Sequence, residues 1–274
     1  MDISKGHSVR YIKKLFVVSA TIVGLSQLPS VAAGQCNAKS GDKRVSLIEL
    51  YTSEGCSSCP PADKWLSRLS ANGDLKSKVV PLSLHVDYWN YIGWQDPYSG
   101  PQYTQRQREI AHRNNLRTIY TPQVVLNGQD FRAWHRQNMS RTLGNLNNRP
   151  ALADLKLEWN SEGSANSIKT AISADLASGA GTPSDHILFL AVYENDIKSR
   201  VNAGENDGRL LEHDNVVREM YALPFSKKRS INQSVALSLK PDWNRSKLGI
   251  AVFVQNRRNG EIMQALAQDL VCDS

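Results

Sequence analysis

A Cys56-Ser57-Ser58-Cys59 pair stands between an apolar run, Val45-Ser46-Leu47-Ile48-Glu49-Leu50-Tyr51, and Pro60-Pro61, after which Trp65, Leu66 and Leu69 recur on one helical face. No other feature restricts the fold as much. A mostly buried strand must turn directly into a helix, and the prolines suit the first helical turn, where a missing N–H costs little. Two thiols three positions apart at a helix start can close a small disulfide ring. The unpaired N–H groups and the positive end of the helix favour thiolate at the first of them. Thiolate is the form that attacks disulfides, so Cys56 is expected to be the attacking thiol, nearer solvent, and Cys59 the resolving thiol. Glu54 opposes the helix effect and Ser57-Ser58 brings no positive charge, which leaves the direction of electron flow open. A static structural disulfide is the alternative reading in an oxidising compartment. Zinc fits poorly, because a structural site takes four ligands and no second cysteine pair completes one. Neither a metal nor a cofactor is expected.

The compartment matters to that choice. Residues 1–33 read as a secretory signal: Lys5, Arg10, Lys13 and Lys14 precede an apolar run from Leu15 to Leu25, and Val31-Ala32-Ala33 forms a small-residue cleavage site. The run is too short to favour a membrane span. A lipid anchor is disfavoured because Gln35, not a small residue, precedes Cys36. The expectation is therefore an exported protein, periplasmic or secreted, with no integral membrane span after cleavage. Its formal charge of +7 falls to +4 without the signal, and the remaining clusters, Lys227-Lys228-Arg229 and Arg257-Arg258, lack aromatic interleaving. No nucleic-acid partner is expected.

With 274 residues, 41% of them hydrophobic, the chain is long enough for one large domain or two small ones. Up to about Asn148 the pattern mixes strands and helices. Val79 to Val86 reads as a second strand, reached from the first by a right-handed crossover. An aromatic insertion, Tyr88 to Pro101, leads to a helix over Tyr103 to Asn114 whose Gln, Arg and Glu content favours solvent exposure. Tyr120 to Gly128 reads as a strand entered through Pro122 and ended by an Asn127-Gly128 hairpin turn, with Gln129 to Trp134 as its partner and Arg136 to Leu146 as a closing helix. Turn formers at Asn145 to Pro150 mark a joint. Beyond it the period becomes two: Leu155, Leu157 and Trp159 alternate with polar residues, as do Val235, Leu237 and Leu239. Ile187 to Tyr193 and Leu248 to Val254 are continuously apolar, as central strands are. The expected organisation is a signal peptide (1–33), an α/β thioredoxin-like domain (34–149) and an antiparallel, immunoglobulin-like β-sandwich domain (150–274).

The order strand, C-x-x-C, helix, strand, x-Pro strand, hairpin strand, helix resembles the thioredoxin core. More narrowly, Glu49 to Asp63, His85-Val86-Asp87-Tyr88-Trp89 and Tyr120-Thr121-Pro122-Gln123 resemble a family of secreted bacterial proteins of unknown function, in which a β-rich tail follows the thioredoxin-like part. The resemblance implies a cis bond at Thr121-Pro122, whose edge pairs with extended substrate in thioredoxin-like sites. It implies a proton-accepting acid on the strand before the redox pair. Glu49 is the available acid, one residue further from the pair than in thioredoxins, and an edge or salt-bridged glutamate is the alternative reading. Gly204 to Arg209 and His213 to Arg218 match the tail's second signature. This loop is expected to pack near the cysteines, although Asn206-Asp207-Gly208 alone reads as a solvated turn without EF-hand spacing.

Tyr88, Trp89 and Trp94 are candidates for a substrate-facing wall or for anchors of the insertion. His85 and Asp87 share a strand face, as proton carriers, as part of a metal site or, the favoured reading, as a hydrogen-bonded pair. Cys36 and Cys272 form the economical second disulfide, closing a loop worth about 4 to 5 kcal/mol in the chain-entropy account. Together these residues point to an exported thiol–disulfide oxidoreductase acting on a disulfide-containing protein or small thiol substrate, with an unidentified redox partner. The competing reading is a non-catalytic secreted binding or envelope protein on the same scaffold, its Cys56–Cys59 bond structural.

Overall fold

The computed structural model describes residues 35–160 and 166–272. The expected signal segment lies outside the described residues. In chain order the elements are β1 (Gln35–Lys39), β2 (Ser46–Thr52), α1 (Pro60–Ser70), the short α2 (Gly73–Lys76), β3 (Val79–His85), α3 (Pro101–Arg113), β4 (Gln123–Leu126), β5 (Gln129–Asp130), α4 (Met139–Asn147), β6 (Ala153–Asn160) and β7 (Ser167–Leu176). They continue with β8 (His186–Glu194), β9 (Ile197–Arg200), β10 (Leu210–His213), β11 (Val216–Pro224), β12 (Ser230–Ser238), β13 (Leu248–Asn256) and β14 (Ile262–Asp269). The fold is mixed α/β and dominated by sheet.

Eight strands form one sheet in the order β14-β13-β8-β11-β3-β2-β4-β5. β2 and β3 run parallel, joined through α1 and α2, and β4 returns antiparallel to β2. The Asn127-Gly128 turn to β5 has positive φ at both residues (49° and 82°), as a type I′ hairpin requires. Gly128 also abuts the Gly260 carbonyl so closely that a Cβ has no room. The segments on either side of Pro150 share this sheet. β11 lies parallel to β3 at Val216 and Ser83, and Ser83 N–H donates to Asn215 O (2.8 Å). A second sheet, β1-β6-β7-β12, takes its first strand from the start of the described residues and the rest from beyond residue 150.

Burial follows from strand alternation. On β8 and β13, Leu188, Leu190, Val192, Ile250, Val252 and Val254 pack against Leu155, Leu157, Ile172 and Leu237 of the four-stranded sheet. Their opposite faces carry Phe189, Ala191, Ala251 and Phe253 into a core shared with Leu47 and Tyr51 of β2 and with Tyr103 and Ile110 of α3. Both faces being apolar explains the unbroken runs in the sequence. β2 is likewise buried throughout, its Ile48 and Leu50 covered by Ala62 and Leu66 of α1 and Leu143 of α4.

Helix α3 departs from the expected exposure. It buries Arg106 and Gln107, because Arg106 is neutralised by Glu49 (Nε to Oε1 2.6 Å, Nη2 to Oε2 3.1 Å), donates to Gln255 Oε1 (3.2 Å) and lies 4.5 Å from the centroid of the Phe189 ring. A bidentate guanidinium–carboxylate pair stacked on an aromatic ring is how an arginine enters a core. Among the described residues no helix is long and apolar enough to cross a membrane.

Candidate functional site

After β2 the chain makes a hydrogen-bonded turn. Cys56 N–H donates to Ser53 O and Cys59 N–H to Cys56 O, both at 3.1 Å. Cys59 then caps α1, its carbonyl accepting from the N–H groups of Ala62 (2.8 Å) and Asp63 (3.2 Å), with Pro60 and Pro61 in the first turn. A disulfide joins Cys56 to Cys59, whose Cα atoms are 5.4 Å apart. Both cysteines are 0% exposed, while Ser57 and Ser58 face solvent. Cys56 therefore does not hold the solvent-facing position expected of it.

A distant segment explains the burial. The turn Gly204–Asn206 lies over the motif, and Asn206 Nδ2 donates to Glu54 O (2.8 Å) and to Cys56 O (3.0 Å). Arg209 Nη1 donates to Asn206 Oδ1 (2.6 Å), and Glu205 Oε2 accepts from Ser57 N–H (3.0 Å). Those Ser57 hydrogen bonds hold the Glu205 carboxyl below its ordinary value. Asn206 is 0% exposed and so is no solvated turn: its amide satisfies two buried carbonyls that have no strand or helix partner. The loop thus packs at the cysteines, as expected.

The aromatic insertion closes the other side. A Cβ on Gly55 would stand 3.2 Å from both Trp89 Cβ and Ile92 Cδ1, so glycine lets the two loops touch. Trp89 Nε1 donates to Thr121 Oγ1 (2.7 Å), and the Thr121–Pro122 bond is cis. Trp94 Nε1 donates to Glu54 Oε2 (2.8 Å). Tyr88, Trp89, Thr121 and Pro122 are half-buried, and burial pushes the Tyr88 phenol up. Trp89 and Trp94 thereby tie the insertion to the x-Pro edge and to the cysteine loop.

Around the cysteine motif lies a buried group of acids and imidazoles drawn from both halves of the chain. His85 Nδ1–H donates to Asp96 Oδ2 (2.7 Å), which also accepts from Glu54 N–H (2.9 Å). Burial works against charge on both partners. Even so, attraction and the hydrogen bond between them hold Asp96 below and His85 above their ordinary values. The His213 ring centroid is 5.0 Å from that of His85. His213 Nε2 stands 3.3 Å from Glu54 Oε1, and its Nδ1 stands 4.0 Å from Asp63 Oδ1. Asp63 Oδ2 accepts from Thr52 Oγ1 (3.2 Å). Burial raises the Asp63 carboxyl, against the pull of His213 and His85.

Residues 47–255 match the family described as Protein of unknown function (DUF1223). The chain belongs to the DUF1223 family. Solved structures are similar to it, two of them over most of its length. A protein of Agrobacterium tumefaciens is 22% identical, with a TM-score of 0.59 over 85% of this chain and 98% of that one. HBP35 of Porphyromonas gingivalis is 16% identical, with a TM-score of 0.60 over 84% of this chain and 76% of that one. At these identities the likeness speaks to fold alone. No curated protein matches. The DUF1223 match runs from β2 into β13, taking in the cysteines, the insertion and the 204–218 segment together.

Not every expected residue reaches the site. Glu49 lies on the face of β2 that carries Leu47 and Tyr51, opposite α1, and its carboxylate is held by Arg106 and by Tyr51 OH (3.1 Å). His85 and Asp87 do not pair: Asp87 Oδ1 accepts from Thr104 Oγ1 (2.5 Å). A second disulfide joins Cys36 on β1 to Cys272, with Cα atoms 6.0 Å apart. Sequence reasoning passed over Asp63 and Asp96. Asp63 was legible in principle, as an acid one helical turn beyond Cys59 on the stripe that includes Leu66. Asp96 was not, since nothing local fixes the path of the insertion.

Proposed function

We propose that this protein is an exported thiol–disulfide oxidoreductase, built on a thioredoxin-like part (34–149) and a β-sandwich part (150–274), that works through Cys56 and Cys59. The observation that carries the reading is a disulfide closed across one turn at the N-terminus of α1, where helix N–H groups stabilise a departing thiolate. In the oxidising direction, a substrate thiolate attacks Cys56 Sγ. The Sγ–Sγ bond breaks with its electron pair on Cys59, and a second substrate thiol displaces Cys56, leaving the substrate as a disulfide and the pair as two thiols. The reverse sequence reduces a substrate disulfide. Thr121 and the half-buried Trp89 flank the route by which an extended chain would approach. Export rests on the charge and apolar pattern of the first 33 residues.

A second reading, a structural bond in a non-catalytic binding or envelope protein, is favoured by one observation, the 0% exposure of both cysteines. A Cys59→Ser variant separates the two. The oxidoreductase accumulates mixed disulfides through Cys56, recoverable from the exported fraction and released by reductant. Absence of any adduct, with a wild-type potential below about −300 mV, establishes the structural reading.

A further inference from the structure

The buried acid–imidazole group is the least explained feature of the molecule. Glu54 Oε1, Asp63 Oδ1, His85 Nε2 and both ring nitrogens of His213 are buried without a hydrogen-bond partner. Such atoms cost free energy, so their accumulation at one place calls for a reason. Among the described residues no three His, Cys, Asp or Glu side chains converge to hold a metal ion. In sequence, the group's two carboxylates flank the disulfide. Glu54 precedes Cys56 by two residues; Asp63 follows Cys59 by one helical turn, with both side chains buried. His213, carried on β10 from the far half of the chain, stands between the two carboxylates.

Resting on the oxidoreductase reading, we propose that Asp63 and His213 form the proton site of the sulfur chemistry. When the Cys56–Cys59 bond breaks, Cys59 leaves as a buried thiolate. Asp63 hands it a proton and is reprotonated by His213, while Glu54 holds the imidazole from the other side. Each turnover moves two electrons from a dithiol to the two protein sulfurs. Of the two protons the dithiol releases, one reaches Cys59 through Asp63 and the other reaches Cys56 from solvent. In the reverse direction the same carboxylate takes the Cys59 proton. Other groups around the site bias it without joining the transfer. His85 and Asp96 form their own pair, the Tyr98 ring lies 6.2 Å from that of His213, and Arg218 stands 5.1 Å from the Tyr98 centroid. The thiol chemistry of the first half thus depends on an imidazole supplied by the second.

The test is the rate at which dithiothreitol opens Cys56–Cys59 between pH 5 and 9, read by alkylation and peptide mass so that Cys36–Cys272 does not interfere. Dithiothreitol ionises identically for every variant, so the informative quantity is the ratio of variant to wild-type rate. Asp63→Asn and His213→Gln each lower that rate by about tenfold or more. The ratio varies with pH, and Asp63→Glu recovers part of the loss. Folded variants whose profiles superimpose on wild type overturn the proposal. If a variant does not fold, titration of wild-type His213 by NMR decides instead. Its midpoint differs between oxidised and reduced protein if it serves the sulfurs, and an unchanged midpoint overturns the proposal. A wild-type bond that dithiothreitol cannot open rejects the oxidoreductase reading and this inference together, whereas an open bond with identical profiles rejects the inference alone.

Discussion

At the scale of single residues, the His85–Asp96 pair sets how stability follows pH. The folded value of His85 lies above its ordinary 6.5, so its contribution is complete below about pH 6.5 and is lost as pH rises through the raised value. The folded value of Asp96 lies below its ordinary 3.8, so its contribution is present above that pH and is lost as pH falls through the depressed value. Asp63, raised by burial, runs the other way: its favourable term is present below 3.8 and is lost as pH climbs through its raised value. Comparing wild type with Asp96→Asn isolates the pair. The variant is less stable by about 1 kcal/mol or more near pH 5.5, where both charges are present, and the difference narrows toward either extreme. Urea melts across that range check it, and a pH-independent difference contradicts the charged pair. The cysteines were legible from motif chemistry, and the cis Thr121-Pro122 from the resemblance to thioredoxin-like proteins. The burial of Cys56 was not, because it is caused by Asn206, 150 residues away.

Among the elements, those with a strong local signature appear where pattern places them: β2, α1, β3, the Asn127-Gly128 turn and the central strands β8 and β13. The expected closing helix appears as α4, capped by Asn138 Oδ1 accepting from Arg141 N–H. α3 was misjudged in exposure because its buried polar residues find partners on β2 and β13 that a helical pattern does not reveal. The 204–209 segment belongs to this scale, since it is a short turn that closes a site made elsewhere. Removing its buried hook exposes what it covers. Asn206→Ala leaves the Glu54 carbonyl unpaired and the Cys56 carbonyl with only its turn bond from Cys59 N–H, at a cost of about 1–3 kcal/mol. The same change speeds opening of Cys56–Cys59 by dithiothreitol by about tenfold, as a local opening cost of 1.4 kcal/mol is removed. Glu205→Gln, which alters only the exposed latch on Ser57, has a smaller effect in the same direction. Equal rates in wild type and Asn206→Ala show that the turn does not guard the bond.

For the whole molecule, the decisive fact is that one sheet holds strands from both sides of Pro150, with Arg106, Glu49 and Gln255 buried across it. The change of period at the joint is real, yet periodicity reports which face of a strand is covered and says nothing about which sheet it enters. β1 is the plainest case: it lies at the start of the described chain and pairs with β6. Cys36, on β1, is bonded to Cys272, closing a loop over a separation of 236 residues. In the chain-entropy account such a bond stabilises by restricting the unfolded ensemble, by about 5.5 kcal/mol, independently of contacts in the folded state. The Cys36→Ser/Cys272→Ser double variant is therefore less stable by that amount in urea melts, its midpoint moving to lower urea, while Cys56–Cys59 remains intact by peptide mass. Its melt stays a single transition by both fluorescence and circular dichroism, because the shared sheet and the Phe189–Phe253 core couple the halves without the covalent clamp. Two separated transitions in the variant, with one in the wild type, would instead assign the coupling to the disulfide and leave the β11–β3 junction as a contact of little strength.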